Sequence, residues 1–221
     1  MRLDVFLHVG TLAAVFLYYR AVIVRLVCGL CVGGRDAWEY AGKIILSALP
    51  AIAVYACLHG RIDALFENAH AVGALLMFTG AVLCTMRFVP VGTKNVSFIR
   101  ALLMGAAQAV ALLPGVSRSG MTLVAARSER VEAGAAAEFS FLMSAPLILG
   151  GALLEFVKAP AAASVGAAPE LSWGLMAYGS VLAAVVGYVS LALLVRTLKS
   201  RYFWFFGPYC LIAGLLTLRF C

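Results

Sequence analysis

The sequence predicts an all-α integral membrane protein with about six transmembrane helices and one re-entrant helical hairpin at residues 101–126. Of its 221 residues, 64% are hydrophobic and 12% charged, with a mean hydropathy of +1.01, whereas a soluble domain is about half apolar and a quarter charged. The apolar residues form long unbroken runs rather than the alternation of a membrane barrel. Because lipid leaves only helices and closed barrels able to satisfy the backbone, the runs predict helices.

Six apolar runs approach the length that crosses about 30 Å of hydrocarbon. They are 3–24, 44–60, 70–86, 136–157, 172–195 and 203–220. The first follows Arg2, as the apolar core of a signal peptide would, but Asp4 and His8 interrupt it and no small-residue cleavage site follows. We therefore treat it as a span, and residues 1–221 as a single polytopic membrane domain.

The basic residues indicate the orientation of the chain. Placing loops 25–43, 87–100, 127–130 and 196–201 in the cytoplasm collects eleven Lys and Arg residues there and leaves four on the other side. This positive-inside asymmetry predicts an N-terminus in the periplasm and a multi-pass protein of the bacterial inner membrane. The net charge of +7 is spread between apolar runs rather than along one face, so nucleic acid is not an expected partner.

The six cysteines lie mostly in or beside apolar stretches, so no disulfide framework is expected. Cys28 and Cys31 have the spacing of a redox or zinc motif, but no second pair accompanies them. We interpret them as small apolar residues at a helix end. The small-residue segment 158–171 is expected to be an external connector.

The hairpin prediction depends on residues 101–126. The apolar stretch ALLMGAAQAVALL is broken by PGVSRSG and resumes as MTLVAA, so neither arm is long enough to cross the bilayer. Irregular backbone at that depth is tolerated where protein surrounds it or where it lines an aqueous cavity. A hairpin that enters from the cytoplasm and returns to it fits both the lengths and the charge asymmetry.

Arg118 is the candidate functional residue at the tip of this hairpin. A guanidinium near the bilayer centre costs several kcal/mol and stays charged, so an anion is expected beside it. Ser117, Ser119 and Thr122 offer hydroxyl donors, while Gly115 and Gly120 permit tight turns with inward amides. The arm starting near Ser119 also presents a helix N-terminus, which favours anions. The alternative is a plain turn whose arginine reaches to the interface.

Four segments, in order along the chain, resemble the undecaprenyl-diphosphate phosphatase family, also called the bacitracin-resistance family. They are DVFLHVGTLAAVFLYYR at 4–20, LPAIAV at 49–54, GAAQAVALLPGVSRSGMT at 105–122 and EFSFLMSAP at 138–146. The third contains the family's PGxSRSxxT signature. The resemblance implies an inverted-repeat membrane fold and hydrolysis of undecaprenyl diphosphate to the monophosphate, which recycles the lipid carrier for peptidoglycan synthesis.

The resemblance also implies roles for particular residues. Arg118 would clamp the diphosphate. Ser117, Ser119 and Thr122 would help to hold it. Gln108 stands where the family keeps a polar residue on the hairpin arm, and a hydrogen bond to a neighbouring helix is its alternative role. The expected partners are a polyprenyl diphosphate and membrane lipids, with a homodimer allowed and Mg²⁺ or Ca²⁺ implied only by the family.

The sequence departs from the family at one point. The family's first signature, an ExxxE segment followed by PVSSxGH, is not found in residues 1–221. Two explanations stay open: the natural start lies upstream and restores the signature, which we favour, or the natural protein lacks it and binds or translocates lipid phosphates without hydrolysis. His8, Glu138 and Glu155 could supply a base, but helix packing better explains His8, the helix dipole better explains Glu138, and we do not expect Glu155 to be the base.

Overall fold

The computed structural model describes residues 2–158 and 173–220, and this part of the chain is almost entirely helical. The helices are α1 (Arg2–Tyr18), α2 (Arg20–Cys31), α3 (Arg35–Phe66), α4 (Ala69–Thr85), α5 (Phe98–Val110), α6 (Arg118–Ser128), α7 (Ala133–Lys158), α8 (Trp173–Lys199) and α9 (Phe206–Phe220), the last preceded by a 3-10 turn at Arg201–Phe205. Within the described ranges, β structure is confined to two isolated bridges that join the α4–α5 and α6–α7 connections. The expected connector at 158–171 lies, beyond the end of α7, outside the described residues.

Four described helical segments are long and apolar enough to cross a membrane: Arg35–Phe66, Ala133–Gly150, Gly174–Lys199 and Tyr202–Phe220. A bent pair, Val9–Tyr18 with Arg20–Cys31, raises the number to five if it is one span. The predicted run at 70–86 became α4, whose 17 residues extend about 25 Å at 1.5 Å per residue. The all-α membrane class is confirmed, with a lower count of full-length spans than the six predicted.

The first apolar run is not one straight span. Its two helices meet at Tyr19 with a bend of 80°. Arg20 directly follows the bend, and its guanidinium donates to the carbonyl of Leu17 at 3.3 Å. That bond gives one of the unpaired carbonyls at the end of α1 a partner, as basic residues commonly do at helix C-termini.

The chain divides into two compact units, Met1–Ala37 with Ser144–Leu193 and Trp38–Met143 with Leu194–Cys221. In the first, α1 lies close against α8: a side chain at Gly10 would meet the carbonyl of Ser180, and the Ser180 hydroxyl donates to the carbonyl of Phe6 at 2.9 Å. Small residues let helix backbones approach closely in membrane proteins. The second unit contains the predicted hairpin.

The second unit is built on an antiparallel contact between α4 and α9. Gly73 faces Gly214 and Gly80 faces Gly207; a Cβ atom added to any of the four would lie 2.7–3.1 Å from the carbonyl of its opposite number. The seven-residue spacing places both glycines of each helix on the same face. Backbone contact at two levels therefore makes α4 a firm support for the segments that pack on it.

The predicted hairpin is present as α5 and α6, two short helices that pack together. They contain 13 and 11 residues, or about 20 and 17 Å of helix. The buried residues of α5 lie three or four apart along one face, and at Gly105 that face touches the carbonyl of Ser47 on α3. The position and length of both arms agree with the prediction, while their path through a bilayer stays a prediction.

Candidate functional site

The loop between the two hairpin helices lies directly against α4. Gly115 has a φ of +87°, a conformation that residues with a Cβ rarely adopt. A Cβ atom at this position would also collide with the carbonyl oxygen of Val72. Glycine is therefore required here, because a side chain would disfavour the backbone conformation and would clash with α4. Its absence of a side chain lets the loop pack directly on α4.

Thr79 of α4 makes a second attachment to the same loop. Its hydroxyl accepts a hydrogen bond from the backbone amide of Ser117 at 3.2 Å and lies 3.3 Å from the carbonyl of Gly115. The side chain is fully buried. Sequence reasoning missed this residue, although a hydroxyl in the middle of the run 70–86 is a signal that could have identified it.

Ser117 begins α6 as its N-cap. Its hydroxyl oxygen accepts from the amide of Gly120 at 3.2 Å, and its carbonyl accepts from the amide of Met121 at 2.9 Å. Within the described ranges, the amides of Arg118 and Ser119 make no such bond. Two donors thus remain open at the positive end of the helix dipole, the arrangement that binds anions elsewhere.

Arg118 is the first residue of α6, and its side chain is exposed. The depth of this guanidinium in a bilayer and the anion expected beside it stay predictions. The described residues also offer the guanidinium no ion pair or hydrogen bond. With Ser117 and Ser119 half-buried on either side, Arg118 stands open to a ligand rather than neutralised by an internal carboxylate.

Thr122 is placed differently from its expected role as a donor to the ligand. It is buried, and its hydroxyl lies 3.0 Å from the carbonyl of Arg118 and 2.6 Å from the hydroxyl of Ser140 on α7. A threonine hydroxyl has a single proton to donate. Because these internal neighbours occupy it, Thr122 joins α6 to α7 beneath the site, and the expectation that it faces a ligand is not supported.

Gly115 makes the tight turn that was predicted, whereas Gly120 differs from expectation. The amide of Gly120 is taken by the Ser117 cap, so it is not the free inward donor that was predicted. Gly120 is buried, and a Cβ atom there would lie 3.0 Å from the Ser117 side chain. Gly115 therefore shapes the loop and Gly120 the cap, and the open amides in the first turn of α6 belong to Arg118 and Ser119.

Gln108 lies on the buried face of α5 with 2% of its surface exposed. Neither its amide nitrogen nor its amide oxygen has a hydrogen-bond partner in the described part of the chain. The bond to a neighbouring helix, its alternative role, is therefore absent there. A buried polar group without a partner costs about 1–3 kcal/mol, and the substrate contact expected of Gln108 stays a prediction.

The remaining ionisable candidates are His8, Glu138 and Glu155, together with Arg127. The side chains of His8 and Glu155 lie outside the described part, and Glu138 accepts a hydrogen bond from the hydroxyl of Tyr40 at 3.1 Å. Arg127, placed in a cytoplasmic loop by the sequence, is instead buried in the last turn of α6, where its Nε donates to the carbonyl of Val89 at 2.9 Å. It occupies the opposite end of the helix from Arg118.

Comparison with known proteins gives one consistent result. Residues 1–216 match the model of the family described as bacitracin resistance protein BacA. The chain is 34% identical to an undecaprenyl-diphosphatase of Desulfatibacillum aliphaticivorans, over 97% of this chain and 82% of that protein. It is 33% identical to the undecaprenyl-diphosphatase of Desulforapulum autotrophicum (99% and 83%) and 33% identical to undecaprenyl-diphosphatase 1 of Burkholderia pseudomallei (96% and 78%).

Proposed function

The chain belongs to the bacitracin resistance protein BacA family, and from this premise we propose that it hydrolyses undecaprenyl diphosphate to undecaprenyl phosphate and inorganic phosphate. The relatives at 33–34% identity bear the name of that activity. The observation that carries the proposal is the N-terminus of α6, where an unpaired guanidinium and two open amides adjoin. In a multi-pass membrane protein, this reaction returns the lipid carrier to peptidoglycan synthesis.

The proposed binding mode follows from the donors at this helix end. A diphosphate presents several anionic oxygens, and a guanidinium can engage two of them in parallel. The amides of Arg118 and Ser119 point along the helix axis and add two more donors. The hydroxyl of Ser119 can donate as well, while Ser117 keeps the first turn in place through its cap. The polyprenyl chain would extend into the surrounding lipid.

In the proposed reaction, water attacks the terminal phosphorus and the bond from that phosphorus to the bridging oxygen breaks. The bridging oxygen leaves with the lipid monophosphate, and the transferred phosphoryl group becomes inorganic phosphate. Charge that develops on the phosphoryl oxygens is stabilised by Arg118 and the open amides, which are already oriented before reaction. An arginine stays protonated and cannot be a base, so the proton from water passes to a group other than Arg118.

A divalent cation is a further proposal that comes from the family alone. The described residues contain no group of three or more His, Cys, Asp or Glu side chains that could hold a metal ion. These side chains therefore do not fit such a site, and we derive no step of the reaction through Mg²⁺ or Ca²⁺.

The location of the protein is proposed on the same charge asymmetry that oriented the spans. Eleven basic residues against four support a bacterial inner-membrane location with the first residue on the periplasmic side. A thiol-reactive reagent that cannot cross membranes tests this, because a cysteine introduced at the start of α1 should react from outside.

A homodimer is a separate proposal, tested by the mass of the protein in lipid nanodiscs.

The experiment for the function is phosphate release from undecaprenyl diphosphate by the purified protein in lipid. Arg118→Ala should lower kcat/KM by about 100-fold or more, because loss of one transition-state donor costs about 10²–10³ in rate. Arg219→Ala, which removes an exposed arginine near the end of α9, is the matched control and should retain activity. Release that survives Arg118→Ala would refute the assignment, and substrate binding without release would indicate a non-hydrolytic binder.

A further inference from the structure

Thr79 carries a buried hydroxyl on α4, a helix that lies outside the PGVSRSG segment. It lies within the apolar helix α4, and none of its surface is exposed. Its oxygen is 3.1 Å from the carbonyl of Leu75, 3.3 Å from the carbonyl of Gly115 and 3.2 Å from the amide nitrogen of Ser117. Two of these three neighbours belong to the hairpin loop, 36 and 38 residues further along the chain.

The hydrogen-bonding capacity of a hydroxyl limits what this oxygen can do. It has one proton to donate and two lone pairs that accept. The proton can go to the carbonyl of Leu75 or of Gly115, but in either case the Ser117 amide must be served by a lone pair of Thr79. Valine has nearly the same shape and no acceptor. Thr79→Val would therefore leave the Ser117 amide without this partner.

The position of Ser117 determines the geometry of the first turn of α6. Its hydroxyl caps that turn through Gly120, and the next two amides, of Arg118 and Ser119, are the open donors of the site. The loop is also held on α4 at Val72, where Gly115 fits without a side chain. Two attachments to the same helix, about two turns apart, hold the open amides in place.

We propose that Thr79 is a positioning residue: it holds the Ser117 amide so that the Arg118 and Ser119 donors are oriented for the diphosphate before the substrate binds. This inference rests on the function proposed above. Donors that are aligned in advance stabilise developing charge without reorganisation. Small displacements of such groups reduce turnover strongly even when the substrate still binds. Loss of Thr79 should therefore affect kcat more than KM.

The chain offers a matched control on the same helix. Thr85 also lies on α4, but within the described residues its hydroxyl bonds only to the carbonyl of Val82 in its own helix, at 2.6 Å. Thr85→Val removes the same chemical group without touching the hairpin. Thr79→Ser, by contrast, keeps the hydroxyl in place and removes only a methyl group, so it serves as the conservative rescue.

The test measures kcat and KM for phosphate release, and the affinity for methylenediphosphonate, a diphosphate that cannot be hydrolysed. Each value is normalised to the folded fraction of the protein. Thr79→Val should lower kcat about tenfold, weaken diphosphonate binding less, and leave KM within about threefold. Thr79→Ser and Thr85→Val should both stay within about threefold of the unmodified protein. An unchanged kcat in Thr79→Val, or a loss that Thr79→Ser does not restore, would overturn the proposal.

Amide hydrogen exchange provides a readout that does not depend on catalysis. Thr79→Val should speed exchange at Ser117 and Gly120 at least tenfold, while Thr85→Val leaves both rates unchanged. If the unmodified protein neither binds diphosphonate nor releases phosphate, the proposed function fails, and the exchange rates still decide whether Thr79 holds the loop. If it does both and the exchange rates of Thr79→Val are unchanged, the positioning role alone is refuted.

Discussion

A methyl group added at Gly115 should destabilise the protein in two ways, through an unfavourable backbone conformation and through a steric clash. Its φ is +87°, and a Cβ atom would collide with the carbonyl oxygen of Val72. That carbonyl belongs to the backbone of α4, which also packs closely against α9, so it cannot move aside easily. Gly115→Ala should therefore displace the hairpin loop from α4 and disturb the cap that begins α6.

Gly33 provides the reference for the magnitude. It also has a positive φ, +72°, but a Cβ atom there would meet nothing within 4 Å. Gly33→Ala should cost only the left-handed conformation, about 1–2 kcal/mol. Gly115→Ala should cost the same plus about 1–3 kcal/mol of overpacking. We therefore expect a total of about 2–5 kcal/mol at Gly115.

The assay is unfolding by sodium dodecyl sulphate in mixed micelles, followed by loss of helical circular dichroism, together with phosphate release. Gly115→Ala should unfold at lower detergent fraction than Gly33→Ala and should lose most of its activity while still folded. Gly33→Ala should retain its activity. Equal destabilisation by the two substitutions, or full activity in Gly115→Ala, would show that the loop does not rest on α4 as described.

Three further predictions concern packing, coupling and pH. In the same unfolding assay, Gly80→Ala should destabilise the protein by about 1–3 kcal/mol, because its methyl group would lie 2.8 Å from a carbonyl oxygen of α9. Gly60→Ala is the control: a Cβ atom there would meet nothing within 4 Å, so the substitution should be neutral or stabilise the protein by up to about 1 kcal/mol. A double-mutant cycle of Thr122→Val with Ser140→Ala should give a coupling energy of about 0.5–3 kcal/mol, whereas additive losses would argue against their hydrogen bond. Burial raises the pKa of Glu132, but hydrogen bonds from two amides at the start of α7 and a nearby lysine lower it by more, so its pKa lies below the ordinary 4.5. The stability that the carboxylate contributes is present above pH 4.5 and should be lost as the pH falls through the lowered pKa. Glu132→Gln should remove this pH dependence in thermal unfolding.

The fold class and the hairpin could be predicted because both depend on local features of the sequence. Composition and run length determine whether helices must span lipid, and the PGVSRSG interruption leaves two arms too short to cross it. The sequence predicts a helix start near Ser119, and α6 begins at Arg118 with Ser117 as its cap, because serine is favoured at helix N-termini. The bend at Tyr19 was missed because the apolar run continues through it without a proline or glycine.

The details of the site could not be predicted because they depend on how helices face one another. Sequence spacing places Thr122 one turn after Arg118, but only the packing of α6 on α7 turns its hydroxyl towards Ser140. The contact between Thr79 and Ser117 joins residues 38 positions apart. The exposure of Arg118 likewise depends on which segments cover the hairpin tip, a property of tertiary structure rather than of the local motif.

The central claim is that a diphosphate binds at the N-terminus of α6, in contact with Arg118. Solid-state NMR measures this directly through the dipolar coupling between guanidinium ¹⁵N and ligand ³¹P in protein reconstituted with methylenediphosphonate. The account predicts a coupling that corresponds to a separation of about 4 Å, as expected for a charge-assisted hydrogen bond, and its disappearance in Arg118→Lys. Bound diphosphonate with no coupling to Arg118, or with a coupling that persists in Arg118→Lys, would contradict it.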